Sequence, residues 1–142
     1  MNSRLPTIIP GAIVIDMKRL MTKNFFKWAA NQGISTDDLS QALEEVEKGS
    51  FEASLGGKII KKRIRFAGQG KSKSGRTIIC YQKDSMAVFV HGFAKNEKAN
   101  LSSKELEAFK EFAKILFAYS EADIQKALVN GVLIEVRVCG NQ

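Results

Sequence analysis

Histidine is almost absent from this chain, which holds one, His91, in 142 residues. Cysteine and proline are nearly as scarce, with two of each. One histidine and two distant cysteines offer no ligand spacing of the kind that encloses zinc, which argues against a structural zinc site. Cys80 and Cys139 each lie in an apolar, strand-like run, so buried free thiols are expected, as suits a reducing cytoplasm. Long apolar runs are missing too. The best candidate, LPTIIPGAIVID near the N-terminus, is too short to span a membrane and is broken by Pro6 and Pro10. Residues 1–16 therefore read as an extension outside the core, with 17–142 forming one domain. The most informative absence is of negative charge: no Asp or Glu occurs between Glu52 and Asp84.

Within that interval lie Lys58, Lys61, Lys62, Arg63, Arg65, Lys71, Lys73 and Arg76, and the chain as a whole carries a net charge of +7. Like charges crowded into one stretch repel, so the arrangement opposes folding unless a polyanion is bound there, with phosphates the leading candidate. The segment IIKKRIRF alternates as a strand does, with Ile60, Ile64 and Phe66 on one face and Lys61, Arg63 and Arg65 on the other. RTIICY is a second β-branched and aromatic run, and the Gly/Lys/Ser segment between them reads as a hairpin loop. The triplet Gly70-Lys71-Ser72 is not a nucleotide-binding phosphate loop. That pattern needs a glycine five positions before Gly70, where Arg65 stands, and it opens a helix, which a hairpin does not. His91, between Phe89 and Phe93, is a possible general base, but with no acid nearby in sequence it reads rather as a packed or partly exposed strand residue.

Elsewhere the chain alternates helix and strand signals. Ile13–Leu20 is expected as a first strand. Thr22 then caps a helix that stops at Gly33. Ser35 with Asp38 opens a second helix whose Leu39, Ala42, Leu43 and Val46 share a face, leaving Glu44, Glu45 and Glu47 to solvent. A loop containing Gly56 and Gly57 leads to the basic strand. Lys83–Ser85 is a turn, and MAVFVHGF is the strand that follows the basic hairpin, apolar on both faces and hence central. Ser102 with Glu105 caps a long helix with Leu106, Phe109, Ala113, Leu116 and Phe117 on its buried side, and Ser120 with Asp123 caps a last short one ending near Gly131. VLIEVRV closes the chain as a strand-like tail. The order predicts an α+β fold, a small antiparallel sheet packed against helices.

Together these residues resemble the RelE/ParE superfamily of bacterial toxins, closest to its RelE/HigB-type branch. The resemblance rests on the basic run Lys61–Arg65, the Lys/Gly loop, the segment GRTIICYQ from Gly75, and HGFAKNEKANL from His91 running into a capped helix. It covers about residues 17–135 and implies a RelE-like fold with an additional C-terminal helix and tail. It also implies a cytoplasmic toxin of a type II toxin–antitoxin system, held inactive by a cognate antitoxin. The activity implied is that of an endoribonuclease cleaving mRNA, on the ribosome, by attack of the 2′-OH on the adjacent phosphate without metal or cofactor.

On that resemblance Lys61, Arg63 and Arg65 would flank the scissile phosphate, Arg76 would stabilise it, and Lys95 would complete the catalytic set. Lys62, Lys71 and Lys73 would hold neighbouring phosphates. Relatives place an arginine where this chain has Asn96, and a tyrosine near the position of Ser102; Asn96 and Phe93 are the substitutes expected at the RNA, Phe93 by stacking. The alternative is a basic module that binds RNA, or inhibits gyrase as ParE toxins do, without cleaving anything. A third possibility is a regulatory partner with no activity of its own, its basic face covered by an acidic antitoxin segment.

Overall fold

The computed structural model describes residues 17–67, 73–94 and 101–137. Its elements run β1 (Lys18–Thr22), α1 (Lys23–Gln32), α2 (Thr36–Glu47), β2 (Ala53–Gly56), β3 (Ile59–Phe66), β4 (Lys73–Gln82), β5 (Met86–Ala94), α3 (Ser103–Phe117), α4 (Glu121–Val129) and β6 (Leu133–Glu135). The α+β class stands.

Every helix begins where the short polar residues say it should. The Thr22 hydroxyl accepts the N–H of Phe25 at 3.1 Å. Ser35 with Asp38, Ser102 with Glu105, and Ser120 with Asp123 each form a reciprocal capping box, which satisfies N–H groups that a helix start leaves without partners. Gly33 ends α1 at φ 80°, a left-handed conformation open to glycine without a Cβ penalty.

The six strands make one sheet in the order β2-β3-β4-β5-β1-β6. Four of its five strand contacts are antiparallel; β1 lies parallel to β5, with Lys18 opposite Met86 and Met21 opposite Phe89. The expected sheet is thus mixed. Two helices and three strands separate β1 from β5 in the chain, so no tight turn dictates their relative direction. Insertion of β1 beside β5 makes β5 internal, as its two apolar faces require. The C-terminal tail supplies β6, which pairs antiparallel with β1. Of the strand expected over Ile13–Leu20, residues 13–16 lie outside the described residues, and β1 continues instead to Thr22. The loop expected around Gly56 and Gly57 is in fact a hairpin. Ala53–Gly56 pairs with β3, and Gly56, Gly57 and Lys58 turn the chain with φ of 83°, 59° and 64°.

Helices cover the sheet from both sides. On one face α1 and α2 pack Phe25, Ala29, Leu39, Leu43 and Val46 against Ile60, Ile64, Phe66, Ile79 and Phe89. Phe25 stacks on Phe89 with ring centroids 4.7 Å apart. On the other face α3 and α4 pack Ala113, Leu116, Ile124 and Ala127 against Ile59, Ile78, Cys80, Val88, Val90 and Phe93. Ala113 and Leu116 are the buried residues of α3, whereas Leu106, Phe109 and Phe117 from the expected stripe are half-buried. The two core layers therefore differ: the first extends under β3 as far as Phe66, and the second stops short of that end.

Candidate nucleic-acid interface

Strand alternation puts Lys61, Arg63 and Arg65 on the α3 side of β3, and the register carries the row across the sheet. Lys61 lies opposite Ile78, Arg63 opposite Arg76, and Arg65 opposite Ser74; on the next strand Arg76 faces Phe93 and Ile78 faces His91. Lys61, Arg63, Arg65 and Arg76 thus occupy one face of two adjacent strands, where neighbours across a ladder stand about 5 Å apart. Arg63 and Arg65 are exposed; Lys61 and Arg76 are half-buried. Among the described residues, Arg63, Arg65 and Arg76 have no carboxylate within ion-pairing distance. Negative charge lies across the edge of β3. There a cleft of about 470 Å³ brings Arg63 and Arg65 to the same rim as Asp38, Glu45 and Glu52. The Glu52 carboxylate accepts the backbone N–H of Arg63.

Lys62 does not belong to this face. Its parity matches Ile60, Ile64 and Phe66, and its side chain passes beneath α2 with 3% of the residue exposed. There the ammonium meets the Glu45 carboxylate at 2.7 Å and donates to the Ser50 carbonyl at 2.9 Å. A phosphate cannot reach a lysine so enclosed, and the RNA contact expected of Lys62 is corrected to a structural ion pair. Glu45 and Glu47 are accordingly more than a solvent face, since Glu47 pairs with Arg19 at 2.9 Å. Lys73 lies opposite Phe66 in the ladder, which assigns it to the α1–α2 side as well, though exposed.

Phe93 is on the cationic face but cannot stack a base. It is 4% exposed and packed in the α3 core, with the His91 ring edge-on to it at 4.7 Å. Its partner across the ladder is Arg76, so its role is to support the arginine from beside it. Lys71, Lys95 and Asn96 lie outside the described residues. The ends that flank them, Phe66, Lys73 and Ala94, belong to the end of the sheet that carries Arg63, Arg65 and Arg76.

One further residue, His91, joins this face, although its sequence context points to a packed or partly exposed strand residue. The β4–β5 register shifts between Ile78 and Ile79, which pair with His91 and Phe89, so Val90 is an extra residue on β5. Without the bulge, alternation from Phe89 would send His91 toward α1 and Gly92 toward α3. The bulge reverses both. Gly92 now faces α1, where a Cβ would lie 2.3 Å from the Trp28 ring. His91 faces α3 and the cations, half-buried, with its ring 5.5 Å from that of Phe109. No periodicity in MAVFVHGF announces the bulge; the glycine after His91 is its one trace in the sequence.

Burial raises the pKa of two groups in the sheet. The Cys80 thiol is pushed up to about 12. The Tyr81 hydroxyl is also raised, by burial first and then by Asp84 and Glu47. Cys80 is a free, buried thiol, as its apolar context predicted; Cys139 lies outside the described residues. No helix among the described residues is long and apolar enough to cross a membrane.

The fold and face together define an α+β protein whose sheet leaves one cationic end uncovered by its helices. The family model for the RelE toxin of RelE / RelB toxin-antitoxin system matches residues 17–136, and the chain belongs to that family. It is thereby the toxin half of such a pair, with a cognate antitoxin as its partner. No curated protein and no solved structure matches it.

Proposed function

We propose that the protein is an endoribonuclease that cleaves mRNA on the ribosome and so halts translation until an antitoxin covers the site. The observation that carries this reading is the juxtaposition of Arg63 and Arg76 as direct ladder partners, with Lys61 and Arg65 beside them and no carboxylate paired to either arginine among the described residues. Family membership supports it, because toxins of this family are in general endoribonucleases.

In the proposed reaction the RNA 2′-oxygen attacks the adjacent phosphorus, its proton passing to a base. The bond from phosphorus to the 5′-oxygen breaks, and that oxygen takes a proton from an acid. The products are a 2′,3′-cyclic phosphate and a 5′-hydroxyl. Charge accumulates on the phosphoryl oxygens in between, and donors already fixed around that charge lower the barrier because they need not reorganise. Arg76 suits this task best, being half-buried and braced by Phe93. Guanidinium groups also present two parallel donors to a phosphate. Arg63 and Arg65, more exposed, would grip the flanking backbone, and Lys61 and Lys95 are candidates for proton transfer. Lys71 and Asn96 would add contacts along the RNA, and Lys73, on the other side of the sheet, only from its exposed end.

The test is primer extension on cellular mRNA after brief induction of the wild type and of Arg76→Ala. New 5′ ends confined to the wild type and falling within reading frames support ribosome-linked cleavage. Growth arrest with intact mRNA would turn the reading to a non-catalytic binder, such as a gyrase inhibitor.

A further inference from the structure

From the bulge in β5 we infer that His91 is a catalytic residue of this site, the base that takes the proton from the attacking 2′-OH. The inference rests on the endoribonuclease reading and assigns the step which that reading leaves open.

The bulge brings the imidazole onto the face that carries Lys61, Arg63 and Arg76. His91 and Lys61 flank Ile78 in one cross-strand row, and Arg76 lies diagonally from His91 in the next. Strand spacing puts His91 and Lys61 about 10 Å apart and His91 and Arg76 about 7–8 Å apart at the backbone. The ring is held on two sides, edge-on to Phe93 at 4.7 Å and tilted against Phe109 at 5.5 Å. It is half-buried and so keeps access to a substrate.

A general base works best when its ordinary pKa lies near the working pH. An arginine stays protonated, and a lysine must be strongly perturbed to serve. Imidazole, with an ordinary pKa of about 6.5, is mostly neutral at pH 7 to 8 without any perturbation. Among the described residues, the charged groups on the elements that face it are Lys61 and Arg63 on β3, Arg76 on β4, and on α3 the residues flanking Phe109, namely the half-buried Glu105 and Lys110 with the exposed Glu107 and Glu111. The arginines stay charged through the range in which imidazole titrates. A pH dependence near neutrality that disappears in His91→Gln would therefore report His91.

His91 is the one histidine of the chain, so its signal needs no assignment. Single-turnover cleavage of mRNA on ribosomes would be followed from pH 5.5 to 9 for the full-length wild type and His91→Gln. The wild-type rate is expected to rise with pH through the range in which imidazole titrates and then to level off. His91→Gln should lose that inflection and fall roughly 100-fold or more. In parallel, the imidazole proton resonance of the wild type would be titrated with a 2′-O-methyl oligonucleotide, which binds but cannot react. Binding should shift the resonance and raise the titration midpoint, because a phosphate beside the ring favours its charged form. A His91→Gln protein that cleaves with the wild-type rate or keeps the inflection overturns the assignment while leaving the endoribonuclease reading intact. An unmoved resonance in the presence of bound oligonucleotide overturns it too, and needs no variant to fold. Absence of cleavage by the wild type overturns both readings together.

Discussion

Lys62 and Arg63 are consecutive residues of one strand, yet they do opposite work. Lys62 turns under α2, loses nearly all contact with water, and pairs with Glu45 at 2.7 Å. Arg63 turns to the face that α3 leaves uncovered, is exposed, and meets Arg76 across the ladder in place of an acid. On the first face the charge is matched from within the chain and contributes to stability. On the second it is left unmatched, and the resulting repulsion is tolerated where a polyanion would relieve it. The same alternation of side chains that builds the core thus sorts cations onto a face buried under α2 and a face left open for the proposed RNA.

Substitutions on the two faces should therefore separate activity from stability. The largest effect is expected from Arg76→Ala, which should lower cleavage by about 100-fold to 1,000-fold and leave the thermal midpoint almost unchanged; a parallel loss of stability would show that Arg76 belongs to the core. Lys62→Ala should do the reverse. Its removal strands the Ser50 carbonyl and Glu45, and because Glu45 is half-exposed the loss should be about 2 kcal/mol in urea denaturation. Cleavage per folded molecule should hold. If Lys62→Ala abolished cleavage in the folded protein, the division between the faces would fail.

A third substitution probes how the division arises. Gly92→Ala drives a Cβ to within 2.3 Å of Trp28, and overpacking of this kind costs about 1–3 kcal/mol. Because relief would shift β5 beside His91, cleavage should drop as well, and unaltered stability would argue that the bulge is not locked by Trp28. The smallest effect belongs to the far end of the molecule. The Asp123 carboxyl is held below its ordinary range by the backbone N–H and hydroxyl of Ser120. A depressed carboxyl stabilises the fold at neutral pH, and that contribution disappears as pH falls through its folded-state pKa. Asp123→Asn should accordingly flatten the acid limb of the stability curve slightly and leave cleavage untouched, as circular dichroism against pH would register.

How much of this was legible beforehand follows from the range of the interactions involved. Each capping residue acts within four positions of its helix, so Thr22, Ser35, Ser102 and Ser120 announce the helix starts in one dimension. The period of two in IIKKRIRF is equally local and allotted Lys61, Arg63 and Arg65 correctly. Applied strictly it also allots Lys62 to the isoleucine face, and only the pull of a dense basic run assigns that lysine to RNA. Strand β2 was harder to see. ASLG is short and ends in glycine, and it becomes a strand because β3 offers it an edge.

The sequence by itself determined the helix starts, the basic strand, its neighbour β4 and the doubly apolar β5, since each depends on neighbours a few residues away. The tertiary structure decided what pairs with what. It set β1 parallel to β5 and placed Glu45 at Lys62, 17 residues apart in the chain. It also turned His91 onto the cationic face through one extra residue in β5. These outcomes depend on which surfaces meet, and a single-residue shift in register reverses every side chain beyond it.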